Sequence, residues 1–228
     1  MANPGLVYLQ GSGNPSSKLF GTFLDRAFAD LGGRTPRVAV TFAPIAGNAG
    51  IIQKFAGWFV GRTFRGADVK RFIVAGERDA QPTATAQKIV EEADLIFVSG
   101  GDPVVGARLL IESGAADWLR SARARGATLA GGSAGAILLG AWWASWPDDP
   151  DDQPFDGGRL VPCTRVVEDL VIDTHAEDDD WEELKMVRSM LRKKAVNVRA
   201  RGVPTSGGLF VLPDGRLEPV GDPPFVAD

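Results

Sequence analysis

The chain has 228 residues, of which 44% are hydrophobic and 24% charged, a composition typical of a folded globular protein. Its net charge of −4 and its isoelectric point of about 5.2 argue against a nucleic-acid-binding protein. No apolar run approaches the ~20 residues that span a bilayer, and no basic segment followed by an apolar one opens the chain. We therefore expect neither a membrane protein nor a secreted one.

The chain has one cysteine, Cys163, and one histidine, His175. An intrachain disulfide needs two cysteines, so a reducing, cytoplasmic location is expected. Zinc sites of the usual ligand types need more His and Cys than this, so we expect no metal and no cofactor. Only a site for Mg²⁺ or Ca²⁺ built from carboxylates alone stays open.

The charge is unevenly distributed along the chain. Residues 148–183 contain fourteen acidic residues and two basic ones, Arg159 and Arg165. Such a segment usually forms a solvated face, but it can also line a site that prefers cationic groups.

Strand-like and helix-like segments alternate over the first 140 residues. The predicted strands are residues 6–10, 37–42, 69–75, 94–99 and 128–130. The predicted helices are one capped by Ser16 or Ser17, followed by residues 50–60, 83–92, 104–112, 116–124 and 134–144. This alternation predicts βαβ units in a largely parallel sheet with helices on both faces. The ligand site of such a sheet lies beyond the carboxyl ends of its strands.

The pattern changes after residue 144. The segments predicted there are a loop at 146–158, a strand at 169–174, a helix at 181–195 opened by a capping box of Asp180 and Glu183, and short strands with a turn at 213–215. No repeat and no obvious linker occurs, so residues 1–228 are predicted to form a single domain.

The sequence Gly-Gly-Ser-Ala-Gly at 131–135 fits Gly-x-Ser-x-Gly between a strand and a helix. In that context it predicts a nucleophile elbow with Ser133 exposed at a helix N-terminus. The Ala134 N–H would then face a developing oxyanion. The alternative is a glycine-rich turn of the kind that binds phosphate.

A serine nucleophile needs a base, and the one histidine available is His175, at the end of a predicted strand. The base needs a carboxylate to orient it. The candidates are Asp148, Asp149, Asp151, Asp152 and Asp173. The first four lie in the acidic loop, whereas Asp173 shares a strand face with His175. The residues alone do not choose among them.

A second glycine loop, residues 99–103, follows the predicted strand 94–99. The N–H of Gly101 or Asp102 could supply another oxyanion donor, and the Asp102 side chain could contact substrate. Asp102 also fits a helix N-cap with Pro103 in the first turn, and both roles are compatible. The Gly-Ser-Gly at 11–13 lacks the third glycine of a dinucleotide site, so NAD is not expected.

Three motifs together resemble the serine peptidases that include dipeptidase E and cyanophycinase. They are Gly-Gly-Ser-Ala-Gly-Ala at 131–136, Ser-Gly-Gly-Asp at 99–102 and Asp-x-His at 173–175, and the resemblance extends roughly over residues 5–220. It implies a flavodoxin-like, three-layer α/β sandwich with a mostly parallel central sheet. This fold is related to that of class I glutamine amidotransferases, with serine in place of their cysteine.

The resemblance also implies roles for individual residues. Ser133 would be the nucleophile, His175 the base, Gly101 and Ala134 the oxyanion donors, and Asp173 a pocket residue. The dipeptidase E pattern places the triad carboxylate at Asp148, which we prefer, whereas a cyanophycinase-like offset places it at Asp151.

The chain departs from this family at three places. An arginine-rich stretch of cyanophycinase-like proteins is replaced by the acidic residues 176–180, a usual glutamine by Pro103, and a late Gly-Ile-Asp-Glu by residues 202–205. Cyanophycin hydrolysis is therefore not expected. No cation that would hold an aspartyl side chain is identified either.

We therefore predict a serine exopeptidase that hydrolyses short peptides through a Ser-His-Asp triad and an acyl-enzyme. Acidic residues near the site would anchor the substrate's α-ammonium group. The alternatives are an esterase of the α/β-hydrolase type, which His175 with only 53 residues after it disfavours, and a catalytically inactive amidotransferase-like binding domain. Neither a nucleic acid nor a membrane is an expected partner, and a homodimer stays open.

Overall fold

Apolar strands and amphipathic helices alternate in the structure much as the sequence predicts. The computed structural model describes residues 3–12, 18–29, 31–45, 50, 52, 63–64, 66–146 and 158–227. The strands are β1 (Val7–Gln10), β2 (Arg37–Thr41), β3 (Asp68–Arg71), β4 (Leu95–Val98), β5 (Thr128–Gly132), β6 (Trp142–Ser145), β7 (Arg159–Pro162), β8 (Leu170–Thr174), β9 (Arg199–Val203), β10 (Gly207–Val211), β11 (Leu217–Gly221) and β12 (Phe225–Val226).

The helices occupy the positions that the periodic apolar residues predict, with two exceptions. The one at 50–60 lies almost entirely outside the described residues, and the one at 134–144 is shorter than predicted. The helices are α1 (Lys18–Phe28), α2 (Thr83–Glu92), α3 (Pro103–Glu112), α4 (Ala115–Ala124), α5 (Ala134–Leu139) and α6 (Glu182–Lys193), with a 3₁₀ turn at Ala43–Ile45. Within the described part of the chain, no helix has both the length and the apolar character that crossing a membrane requires.

Seven of the described strands form one sheet in the order β11-β10-β1-β5-β4-β2-β3. The five strands from β1 to β3 in this order run parallel, and β10 and β11 add an antiparallel edge. Parallel neighbours need long crossover connections, which here contain the helices. The prediction of a mostly parallel central sheet is confirmed.

The central strands send alternate side chains to two cores. On β4, Leu95 and Phe97 pack in the cluster that includes α1, whereas Ile96 and Val98 pack in the cluster that includes helices α2 to α5. This alternation is the two-residue period of a strand buried on both faces. The sheet thus lies between two helical layers, and the predicted flavodoxin-like three-layer sandwich is confirmed.

The predicted helix at 134–144 is too long. The helix α5 ends at Leu139, Gly140 has an extended backbone (φ −75°, ψ −167°), and residues 142–145 form β6, which pairs with β7. A Cβ on Gly140 would lie 2.9 Å from the carbonyl oxygen of Leu170. The chain therefore leaves the helix where close packing excludes a side chain, and the two tryptophans that follow favour a strand.

The region after β7 builds a separate small sheet, β12-β9-β8, in which β8 and β9 are parallel. All five residues of β8 are buried, and the strand ends directly before His175. This fixes the backbone from which the histidine projects.

The predicted capping box at the start of α6 is wrong. The N-cap residue is Trp181, in a left-handed conformation (φ 61°), and no side chain caps the helix there. Asp180 also has a positive φ (53°) and pairs with Lys185 at 2.6 Å, while Asp179 accepts a hydrogen bond from the Trp181 N–H at 3.0 Å. The left-handed backbone at residues 180 and 181 turns Asp180 away from the capping position.

Phe97 anchors the aromatic core on the α1 face of the sheet, at ring-centroid distances of 5.6 Å from Phe20 and 6.0 Å from Phe64. We expect Phe97→Ala to lower the free energy of unfolding by about 3–5 kcal/mol, because it removes a fully packed ring. Ile111→Ala, at a side chain that is 38% exposed, should change it by no more than about 0.5 kcal/mol. Urea unfolding measures both, and equal effects would contradict this description of the core.

Candidate active site

The sharp turn after β5 places Ser133 at the carboxyl edge of the main sheet. Ser133 has a strained backbone (φ 52°, ψ −126°), which a non-glycine residue adopts only when the surrounding structure enforces it. A Cβ on Gly131 would lie 2.3 Å from the Gly135 carbonyl oxygen, and one on Gly135 would lie 2.1 Å from that of Val98. Only glycine fits at these two positions, so the spacing of the motif follows directly from the packing of the turn.

The Ser133 hydroxyl meets the imidazole of His175. The distance from Ser133 Oγ to His175 Nε2 is 2.8 Å, across 42 residues of sequence. His175 follows β8 with a positive φ of 47°, and its backbone N–H donates to the Val203 carbonyl oxygen at 3.0 Å. The structure thus brings together the two residues that the sequence predicts as nucleophile and base, one after a strand of the seven-stranded sheet and one after a strand of the three-stranded sheet.

The glycine loop after β4 passes beside Ser133. A Cβ on Gly100 would lie 3.2 Å from that of Ser133, and one on Gly101, which has a φ of 141°, would lie 2.4 Å from the Pro44 carbonyl oxygen. The Asp102 N–H donates to the same Pro44 oxygen at 2.8 Å. Of the two donors considered for this loop, Asp102 N–H is engaged within the protein, which leaves Gly101 N–H as the candidate.

The Asp102 side chain caps α3. Its Oδ1 accepts hydrogen bonds from the N–H groups of Val104 at 2.7 Å and Val105 at 3.0 Å, and Pro103 occupies the first turn. The residue also lines the cavity above Ser133. The structure therefore shows that Asp102 fixes the loop by capping the helix. Contact between Asp102 and the substrate stays a prediction.

Asp173 is buried beside the site, with 3% of its surface exposed. Its Oδ1 accepts from the Thr174 N–H at 2.7 Å, and its Oδ2 is buried without a hydrogen-bond partner. Burial, with smaller contributions from the negative charges of Glu183 and Asp179, raises the pKa of Asp173 to about 7. The carboxyl group is directed at the Thr174 backbone and does not orient the imidazole in this arrangement.

The remaining carboxylate candidates for the triad are Asp148, Asp149, Asp151 and Asp152. All four lie outside the described residues. Asp148 as the triad carboxylate therefore stays a prediction.

Glu177 is a residue near the site that the sequence does not single out. Its Oε1 accepts from the Thr205 N–H at 2.5 Å, and its Oε2 accepts from Thr205 Oγ1 at 3.5 Å. Partial burial acts to raise the pKa of Glu177, but the hydrogen bonds from Thr205 and the charge of His175 together lower it below its usual range. Glu177 is one of four consecutive acidic residues, and nothing in the sequence separates it from the other three. What separates it in the structure is its contact with Thr205, which is distant in sequence.

A cavity of about 680 Å³ opens above the serine. Its lining includes Gly101, Ser133, Ala134, His175, Trp143, Trp146, Asp102, Asp173, Asp179 and Glu183. Within the described residues, no three His, Cys, Asp or Glu side chains lie close enough together to hold a metal ion. What the cavity does contain is a hydroxyl group next to a proton acceptor, which is the arrangement that activates a serine for attack on a carbonyl group.

The buried Asp173 should make stability depend on pH. Its carboxyl group binds a proton more tightly when folded (pKa about 7) than when unfolded (ordinary value 3.8), so its contribution to stability falls as pH rises between these values and is constant above them. We expect Asp173→Asn to gain stability relative to the native chain from pH 5 to pH 8, by at most about 3 kcal/mol, because about two pH units of this range lie below the folded pKa. Urea unfolding at both pH values measures this.

The control for this measurement is Asp178→Asn, at an exposed acid of the same loop. It should shift stability equally at pH 5 and pH 8. A constant difference between Asp173→Asn and the native chain would show that Asp173 is not held in a protonated, buried state.

The comparisons with solved structures show the same fold. The chain is similar to a peptidase from an acI-B1 Actinobacterium, with 20% identity over 98% of this chain and 91% of that one and a TM-score of 0.73. It is also similar to a putative peptidase E protein from Listeria monocytogenes EGD-e, with 14% identity over 96% of this chain and 100% of that one and a TM-score of 0.64. No curated protein matches the chain.

The model of peptidase family S51 matches residues 8–199. That range starts in β1, ends at the first residue of β9, and includes the elbow serine and the histidine that meets it. The family consists of serine-type peptidases that include peptidase E, and the resemblance read from the three motifs is confirmed. The chain belongs to peptidase family S51 and is a serine-type peptidase.

Proposed function

We propose that this peptidase is an exopeptidase that hydrolyses short peptides through an acyl-enzyme formed on Ser133. The observation that carries the proposal is the 2.8 Å contact between Ser133 Oγ and His175 Nε2 on a strained elbow. A serine hydroxyl is a weak nucleophile unless a base accepts its proton, and this contact supplies the base.

The first half of the reaction transfers the acyl group to the enzyme. His175 Nε2 accepts the proton from Ser133 Oγ while Oγ attacks the scissile carbonyl carbon. The N–H groups of Ala134 and Gly101 donate to the resulting oxyanion. The carbon–nitrogen bond then breaks, and the proton on His175 passes to the departing amine.

The second half releases the acyl group. His175 removes a proton from water, and the resulting hydroxide attacks the ester carbonyl carbon. The ester bond to Ser133 Oγ breaks, Oγ regains its proton from His175, and the carboxylic acid product leaves. Atoms and protons balance over one cycle without a cofactor.

The protonated His175 needs negative charge nearby. We propose Asp148 as the carboxylate that orients the ring, on the resemblance to dipeptidase E. Glu177 is a second carboxylate near the ring, since the charge of His175 is one of the causes that lower the pKa of Glu177.

The size of the cavity favours short substrates. A volume of about 680 Å³ suits a ligand of small-molecule size, such as a dipeptide or tripeptide. Asp102 and Asp173 line this space, and we propose both as residues that contact the bound peptide.

Ser133→Ala should abolish both peptide hydrolysis and labelling by a fluorophosphonate probe, because it removes the attacking oxygen. Ser145→Ala is the matched control, since Ser145 lines the same cavity and should leave both unchanged. Gel fluorescence and a dipeptide library followed by mass spectrometry are the measurements. Labelling that persists in Ser133→Ala would contradict the proposal, as would ester hydrolysis without any cleavage of peptides.

Gly101→Ala should lower kcat about 10²–10³-fold, because its Cβ would overlap the Pro44 carbonyl group and displace an oxyanion donor. Gly114→Ala is the matched control, since Gly114 also has a positive φ (79°) but has no atom within 4 Å of the added Cβ. It should lose stability by roughly 1–2 kcal/mol and keep its kcat. Steady-state kinetics on folded samples compares them, and equal kcat values would remove Gly101 from the mechanism.

A further inference from the structure

One side of the cavity above Ser133 carries a concentration of negative charge. We call Asp173, Asp179 and Glu183, from the end of β8 and the start of α6, the acidic wall. No Lys or Arg occurs among the described residues that line this cavity. The wall is therefore not neutralised by basic side chains within the cavity itself.

The most buried member of the acidic wall has an oxygen without a partner. Asp173 has 3% of its surface exposed, and its Oδ2 has no hydrogen-bond partner at bonding distance, although the Leu184 N–H is near enough to lower the pKa of the carboxyl group slightly. Buried carboxylate oxygens without a partner are costly and therefore rare in folded proteins. Asp173 lines the cavity, so a donor group on a bound molecule would reach this oxygen once the carboxyl group turns towards the cavity.

The other two members of the acidic wall, Asp179 and Glu183, add to the negative potential around Asp173. Burial, followed by the negative charge of Asp179, raises the pKa of Glu183, and both residues contribute to the raised pKa of Asp173. Among the described residues, no ion pair joins any of the three to a base. Lys185, on the first turn of α6, pairs instead with Asp180 at 2.6 Å.

The arrangement fits an organic cation better than a metal ion. The carboxylates of the described residues are not close enough together to form a metal site. An ammonium or guanidinium group with several donors can bridge more widely spaced carboxylates. Trp143 and Trp146 line the same cavity and offer surface for an alkyl chain or the face of a ring.

The acidic wall is close to the reacting atoms. The acidic wall lines the same cavity as Ser133 and His175, and His175 Nε2 contacts the Ser133 hydroxyl. A cation held at the wall therefore belongs to the residue at the scissile bond or to its neighbour.

We infer that the acidic wall binds a cationic group of the peptide substrate, either the free α-ammonium or a Lys or Arg side chain. This inference rests on the proposed peptidase site and adds the class of substrate to it. It also gives a role to Asp179, one acid of the stretch that follows the Asp-x-His motif, since the wall selects for charge opposite to its own.

The test measures binding, so that it does not depend on turnover. Isothermal titration calorimetry on Ser133→Ala uses the peptides Lys-Ala, Ala-Lys and Ala-Ala, the norleucine analogues Nle-Ala and Ala-Nle, and the N-acetylated form of each. Loss of the recognised cation should weaken binding at least tenfold. Loss of affinity on acetylation identifies the α-ammonium, and loss on replacement of lysine by norleucine identifies the side chain.

Glu183→Gln and Asp173→Asn, each added to Ser133→Ala, should reduce the discrimination, meaning the ratio of the affinities for the cationic peptide and for its neutral analogue, at least threefold. Glu182→Gln is the matched control, since Glu182 is the adjacent acid on α6 but is exposed and outside the cavity lining, and it should preserve the discrimination. Circular dichroism confirms folding of each variant.

Three results would overturn the inference: equal binding of cationic and neutral peptides, no binding of any peptide, and unchanged discrimination in both Glu183→Gln and Asp173→Asn. The proposed hydrolysis fails on a different observation, namely active-site labelling or cleavage that does not depend on Ser133. The two failures are therefore distinguishable.

Discussion

The contact between Ser133 Oγ and His175 Nε2 is the interaction on which the site depends, and two sheets must be positioned correctly to make it. The serine follows β5 in the middle of the main sheet, and the histidine follows β8 in the small sheet. The buried side chains of β8 pack in the same core cluster as α5, the helix that begins directly after Ser133. A shift of about 1 Å between the two sheets would break the hydrogen bond. The core on the α5 face of the sheet therefore fixes the distance between Ser133 and His175 as well as stabilising the fold.

Both partners in this contact have a positive φ, 52° for Ser133 and 47° for His175. Such backbones cost of order 1–3 kcal/mol each and persist only where packing enforces them. At Ser133 the enforcement comes from glycines that pack against backbone carbonyl groups with no room for a Cβ. At His175 it comes from the hydrogen bond of its N–H to Val203. The strain turns each side chain away from its strand direction and towards the other.

The parts of this molecule that could be predicted from sequence are those determined locally. The elbow at residues 131–135 is a steric pattern of small residues around one serine, and the strands and helices of the first 140 residues follow hydrophobic periodicity. The end of α5 at Leu139 was not predictable, because Gly140 is required by its contact with distant Leu170. The contact of Glu177 near the site was not predictable for the same reason, since its partner Thr205 lies 28 residues away in the sequence. Asp173 was placed beside His175 by strand periodicity, but its burial and the unpartnered Oδ2 belong to the tertiary structure.

The raised pKa of Asp173, at about 7, links recognition of a cation to proton release. At neutral pH the buried carboxyl group is protonated in a substantial fraction of molecules, because ionisation would place a third negative charge beside Glu183 and Asp179. A cationic group that enters the acidic wall favours the ionised form and lowers that pKa, so binding expels a proton. Recognition of the cation by the acidic wall is therefore coupled to the protonation state of Asp173, which lies near the end of the strand that leads to His175.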